Sequence, residues 1–213
     1  MSASQIDTAE LADQLTCCAQ DVSERERPVQ LALFRLLAEG RPVEPTRLAA
    51  RTGVPAADVV EHLGRWWGVH TDQARVVAFQ GLSVVETPHR FKVEGRTLYT
   101  WCAWDTLFLP ELIGRPAEVE SSCPTTGTTV SLHVGPEGTA DVSPPQAVMS
   151  FIDRDGPLGD NAIQSFCRFV RFFASPEAAE EWTRSHPGTY VIPIADGYEI
   201  GRRTNAAQWG ELL

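Results

Sequence analysis

Positive charge is scarce in this chain: 18 Lys and Arg stand against 28 Asp and Glu, a formal net charge of −10. A chain of that sign repels phosphate backbones, so general nucleic-acid affinity would need a local basic patch; anionic membrane surfaces are disfavoured for the same reason. No apolar run approaches the roughly 20 residues of a bilayer-spanning helix. The opening MSASQIDTAELADQL shows no basic segment followed by an apolar one, so no secretory leader is expected and the chain reads as cytoplasmic. GxSxG, GxGxxG and GxxxxGK(S/T) stretches are all missing, which removes motif support for serine hydrolases and nucleotide cofactors. His62, His70, His89, His133 and His186 are scattered, and none has a Cys or Ser at a recognisable spacing. No internal repeat or low-complexity segment is present.

Cysteine is limited to Cys17, Cys18, Cys102, Cys123 and Cys167. An odd, uneven set does not make a disulfide framework, and without a CxxC pair it does not make a closed zinc site. Each is therefore weighed as a thiol: packing group, metal ligand or nucleophile. The composition is 43% hydrophobic and 22% charged, which excludes global disorder. Its length, 213 residues, allows one mid-sized domain or two small units.

The first third patterns as helices. Residues 8–20 begin at Thr8 as an N-cap; Pro28 opens a helix with an apolar face from Val29 to Leu37, stopped by Gly40. A short helix follows Pro45 and ends at Gly53, residues 55–67 form a third, and 75–94 read as a hairpin. Three helices and a hairpin are the order of a winged-helix unit. Its would-be recognition helix sets Asp58 and Glu61 against Arg65, the wrong sign for a DNA groove.

Residues 98–112, apolar and aromatic-rich with Pro110 near the end, fit a buried helix or a strand; a helix is expected because the segment is long and runs through Asp105-Thr106-Leu107 without a turn signal. Strands are expected at 116–121, 128–134, 147–152 and 164–173, then an acidic helix capped by Ser175, a strand over YVIPI and a C-terminal helical stretch.

On a helix, Cys102 and Asp105 share a face three residues apart. Flanked by Trp101, Trp104, Leu107 and Phe108, they would sit in an apolar pocket where a carboxyl holds its proton. A nucleophile beside a proton donor can attack a bond at one end and protonate it at the other. A buried core thiol and a solvated edge carboxylate are the bland alternatives, and spacing alone leaves them open. Strand alternation puts Cys167 on one face with Phe169 and Arg171. Cys123 falls in the SSCPTTG turn, and Cys17 and Cys18 are read as helix packing.

RTLYTWCAWDTLFLPELIGRPAEVESSCPTTG and, further on, QSFCRFVRFFAS with an AEEW helix resemble the alkylmercury lyase family. The resemblance implies that Cys102, Asp105 and Cys167 are catalytic and afterwards hold the product Hg(II), with Trp101 and Trp104 lining the substrate pocket. It implies an α+β fold: a winged-helix-like N-terminal unit, 1–94, packed on a mixed β-sheet catalytic domain, 95–213. It implies protonolysis of alkyl- and arylmercury compounds to a hydrocarbon and Hg(II), with no organic cofactor, free thiols for product release and a mercuric reductase as a possible partner. Thiolate is the soft ligand that a soft mercury ion prefers, and a second thiolate makes the mercury-bound carbon more carbanion-like. The rival is a mercury- or metal-binding winged-helix regulator or sequestration protein, against which the acidic recognition helix and Asp105 count. A thiol-redox protein would need a CxxC or a resolving partner.

Overall fold

The computed structural model describes residues 7–17, 22–152, 159 and 161–213, with Cys17 described by its backbone alone. Cys18 and the end of the expected 8–20 helix lie outside these residues.

Four helices open the chain: α1 (Thr8–Cys17), α2 (Arg27–Leu37), α3 (Pro45–Thr52) and α4 (Ala56–Arg65). In α1 the cap is Asp7, not Thr8: its Oδ1 accepts the N–H groups of Ala9 and Glu10. Pro28 and Pro45 occupy first turns, where a missing N–H costs nothing. Gly53 ends α3 at φ 75, a left-handed value that a residue with a Cβ resists. Glu26, ahead of α2, binds Arg65 and the Trp66 indole N–H and so ties α2 to the end of α4.

Five strands follow: β1 (Val69–Asp72), β2 (Arg75–Phe79), β3 (Leu82–Ser83), β4 (His89–Val93) and β5 (Arg96–Thr100). The expected hairpin at 75–94 is thus part of a longer strand run that starts at Val69. After helix α5 (Asp105–Ile113) come β6 (Ala117–Ser122), β7 (Thr129–Gly135), β8 (Gly138–Ser143) and β9 (Val148–Ile152). The chain closes with α6 (Ala162–Ser165), a 3-10 turn at Cys167–Phe169, β10 (Phe172–Phe173), α7 (Pro176–Thr183), β11 (Thr189–Pro193) and α8 (Ile194–Trp209).

The larger sheet runs β1-β2-β3-β5-β4-β6-β7-β8 and the smaller β10-β9-β11. Every strand pairing between these elements is antiparallel, which corrects the expected mixed sheet. Short turns such as those joining β1 to β2, β4 to β5 and β7 to β8 can link only antiparallel neighbours. Residues 94 and 95 form the β4–β5 turn, inside the continuous larger sheet.

Helix α5 packs on α2, α8 and strands β6 and β7, while α1 lies on α8. The core between sheet and helices is aromatic: Phe34 and Phe79 rings stand 4.7 Å apart, and Phe91, Phe151, Phe172 and Phe173 are fully enclosed. Among the described residues no helix is long and apolar enough to cross a membrane.

Candidate active site

The expected helix over 98–112 is broken where it matters. Strand β5 ends at Thr100, residues 101–104 turn, and α5 begins at Asp105. Cys102 and Asp105 are therefore not neighbours on a helical face. They meet because the chain folds back on itself: Oδ2 of Asp105 accepts the backbone N–H of Cys102 at 2.7 Å, like the return arm of a capping box. The Thr100 hydroxyl donates to the Cys102 carbonyl at 2.8 Å and the Thr106 hydroxyl to the Ala103 carbonyl at 2.7 Å, which fixes both ends of the turn.

Cys167 is also displaced from its expected place in a strand. It lies in the 3-10 turn after α6, so the alternation with Phe169 and Arg171 does not apply. The turn is anchored to the first segment, with the Ala103 N–H donating to the Val170 carbonyl at 3.1 Å. The outcome is the cluster that the sequence pointed to, by a different local geometry. The thiol sulfurs of Cys102 and Cys167 and a carboxylate oxygen of Asp105 all lie within 4.8 Å of one another.

All three residues are buried, and burial controls their charge. It raises the Asp105 carboxyl to about 7, outweighing the Cys102 thiol and the N–H groups of Cys102 and Trp101, which favour the carboxylate. The Cys102 thiol is pushed well above its ordinary range by burial, by its bond to Cys167 and by the Asp105 charge. Burial lowers the pKa of Arg171, and the charge of an ionised Cys102 acts to raise it. His89, which binds the Ser121 hydroxyl through Nδ1 at 2.8 Å, is held at about 3 by burial and by Arg171. It is neutral near pH 7, and at that value it is a weak base that does not hold a proton.

The Asp105 shift has a stability consequence with a definite sign. An unfolded chain loses this proton near 3.8, while the folded protein keeps it to about 7. Between those values the folded state binds the extra proton, so burying Asp105 costs more stability as pH rises, up to about 4 kcal/mol above pH 7. Asp105→Asn removes that titration. The melting-temperature gain of the variant over wild type should widen from pH 4 to 7 and then level; a gap that stays flat over this range contradicts the shift.

A cavity of about 330 Å³ opens onto Asp105 and Cys167. Trp101 and Trp104 are in its wall as expected, joined by Phe34, Phe108, Phe166 and Trp209. Cys102 is fully enclosed and is not part of the wall. Trp104 is held by its indole N–H on the Gly197 carbonyl at 3.0 Å, with Phe108, Phe151 and Phe166 around it.

Sequence reasoning missed Gly81. Its φ is +101, and a Cβ built there would stand 2.6 Å from Asp105 Cγ. Its carbonyl accepts the Trp101 N–H at 2.9 Å. A glycine interrupting the Val/Phe run at AFQGLS was the available signal; its contact with Asp105 was not. Gly81→Ala should slow turnover at least tenfold by displacing the carboxyl, and should lower the melting temperature through backbone strain. Unchanged turnover on measurement would remove Gly81 from the account.

Cys123 lies outside the trio, 1% exposed, in the turn after β6. Burial pushes its thiol up, but the Thr126 hydroxyl and the N–H groups of Ala174, Thr126 and Thr125 outweigh that, and the net shift is downward. Arg168 is exposed, with its guanidinium 4.9 Å from the centre of the Phe169 ring.

Comparison with known proteins is consistent in direction. The family model described as alkylmercury lyase matches residues 82–205. The chain is 43% identical over 175 residues to the alkylmercury lyase of Staphylococcus epidermidis, covering 82% of this chain and 80% of that protein. It is 42% identical over 170 residues to that of Streptomyces lividans, covering 80% and 78%. With that of Pseudomonas putida it shares 37% over 188 residues, covering 86% and 88%. A solved structure, the mercury-bound form of MerB2, superposes with a TM-score of 0.74 at 21% identity, over 94% of this chain and 98% of that one. At that identity the superposition establishes the shared α+β fold.

Proposed function

The chain belongs to the alkylmercury lyase family, and from that premise we propose that it is an organomercurial lyase whose buried trio splits carbon–mercury bonds by protonolysis. The observation that carries the reading is the convergence of two thiols and one carboxyl within 4.8 Å at the end of an apolar cavity.

The roles follow from exposure and charge. Cys167 faces the cavity and Cys102 does not, so Cys167 exchanges first with the thiolate that carries the mercurial. Cys102 keeps its proton until mercury arrives, because burial disfavours its thiolate. Mercury bound beside it then favours the thiolate, as metal coordination does generally. The thiol proton moves to the Asp105 carboxylate, and the Cys102 sulfur joins the mercury. With two thiolates on the metal, the electron pair of the carbon–mercury bond leaves with carbon and takes the proton back from Asp105. A hydrocarbon departs, mercury stays in the +2 state on both sulfurs, and Asp105 is again a carboxylate, free to act as a third ligand. Two incoming free thiols remove Hg(II) and return their protons to Cys102 and Cys167. A carboxyl poised at about 7 suits this two-way transfer.

Residues 1–94 are read as a winged-helix-like unit in which α2, α3, α4 and the β1–β2 hairpin serve as scaffold, and 95–213 as the catalytic unit. Asp58 and Glu61 on α4 keep it from the DNA groove. The protein is assigned to the cytoplasm, where free thiols abound and a mercuric reductase would consume its product. No organic cofactor is required.

The test is turnover of phenylmercuric acetate with excess thiol, following benzene by gas chromatography. Several benzenes per protein molecule are expected. Tight mercurial binding without benzene, from freshly reduced protein, points instead to sequestration.

A further inference from the structure

The cavity wall carries polar groups that the chemistry above does not use. Four buried polar side chains lie in its wall: Gln30, Asp105, Thr204 and Asn205. Asp105 serves the thiols. Thr204 donates to the Ile200 carbonyl, and the Asn205 amide donates to the Phe108 carbonyl and to Glu111. Gln30 differs. It is 2% exposed, and its Nε2 has no hydrogen-bond partner. A buried amide without an acceptor is costly enough that proteins rarely keep one without use.

Arg27, one helical turn earlier on α2, lines the same cavity. No acid among the described residues pairs with its guanidinium, whereas the neighbouring Glu26 is taken by Arg65. The α2 wall thus carries a cation and an amide with an unspent N–H donor at positions i and i+3, which share a helix face; the Gln30 nitrogen itself is enclosed, so a ligand reaches it by a turn of that side chain. A carboxylate matches that pair: it is planar, accepts several hydrogen bonds and takes a guanidinium in a two-pronged fashion. The remaining wall, with Phe34, Phe108 and Trp209, suits an aromatic ring. A methyl group would leave most of the 330 Å³ empty, whereas a carboxyphenyl group extends from the thiols along it.

We propose that Arg27 and Gln30 form a carboxylate subsite for the organic group of the substrate, making this chain selective for arylmercury compounds that carry a carboxylate on the ring. The proposal rests on the lyase reading of the trio. The experiment compares kcat/KM for 4-(hydroxymercuri)benzoate and phenylmercury in wild type, Arg27→Met, Arg27→Lys and Gln30→Leu. All assays use 2-mercaptoethanol, which has no carboxylate, so the ring is the sole source of one.

The benzoate-to-phenyl ratio should fall about tenfold in Arg27→Met, the loss of one charge-assisted hydrogen-bonded pair. It should recover in part in Arg27→Lys and fall less steeply in Gln30→Leu. A ratio unchanged in Arg27→Met and Gln30→Leu, with phenylmercury still cleaved by wild type, overturns the subsite and leaves the lyase intact. If wild type cleaves neither compound, the lyase reading fails. The subsite is then judged by the 2-mercaptoethanol concentration that strips each mercurial from the protein: Arg27→Met must still bring the two values together, and failure to do so overturns it.

Discussion

Asp105→Asn should abolish cleavage while leaving capture intact: benzene release from phenylmercury falls by about 10³-fold, and the protein still takes up one equivalent of mercurial. The choice of Asn isolates the proton. Its side-chain oxygen can still accept the Cys102 N–H that Asp105 accepts at 2.7 Å, so the turn before α5 keeps its geometry. What disappears is a carboxyl poised at about 7 between two thiols. Without it, the proton of the Cys102 thiol loses its acceptor, because His89, at about 3 and bonded to Ser121, is too weak a base to take its place. Adduct mass and benzene yield, measured on the same sample, separate capture from cleavage. Wild-type benzene yield in the variant would remove Asp105 from the mechanism.

The two cysteines should fail differently. Serine is a hard, poor ligand for mercury, so either Cys→Ser variant should lose cleavage by a factor on the order of 10³ or more. Capture should distinguish them. Cys102 is fully enclosed, while Cys167 is in the cavity wall. Cys102→Ser should therefore bind a mercurial at nearly the wild-type rate and hold it uncleaved. Cys167→Ser should capture slowly, since the remaining sulfur lies behind Asp105 and keeps its proton. Stopped-flow capture that is fast in Cys167→Ser and slow in Cys102→Ser would reverse the order of attack.

Much of the fold was legible where one face of an element meets solvent. Helix α2 with its proline start, strands β6 and β7 with alternating burial, and α7 with Ser175 accepting the Ala178 N–H all stand where periodicity and caps put them. Two segments misled, because their apolar residues carry no periodic signal that marks the backbone break. Residues 98–112 read as one helix because no Gly, Pro or Asn marks the break. The break is made by tertiary contacts, the Trp101 N–H on Gly81 and the Asp105 carboxylate on Cys102. Residues 164–173, rich in phenylalanine, read as a strand. Yet Phe166, Cys167, Val170, Phe172 and Phe173 are all buried, and the backbone passes through a 3-10 turn.

The site divides along the same line. Cys102, Asp105 and Cys167 were found through the motifs around them, and Trp101 and Trp104 through adjacency. Much of the rest of the cavity wall comes from α1, α2 and α8. No local pattern says that Gln30 and Asn205, on distant helices, share a cavity with Cys167, because only the packing of α1 and α2 onto α5 and α8 brings them there.

The central claim is that carbon leaves mercury by taking a proton from solvent-exchangeable groups of the trio. The measurement that tests it most directly is a single turnover of phenylmercury in deuterium oxide, with the benzene analysed by mass spectrometry. The account predicts benzene carrying one deuterium, and Hg(II) left on the protein until a free thiol is added. Phenylmercury recovered intact after that thiol treatment, or benzene released without deuterium, would contradict it.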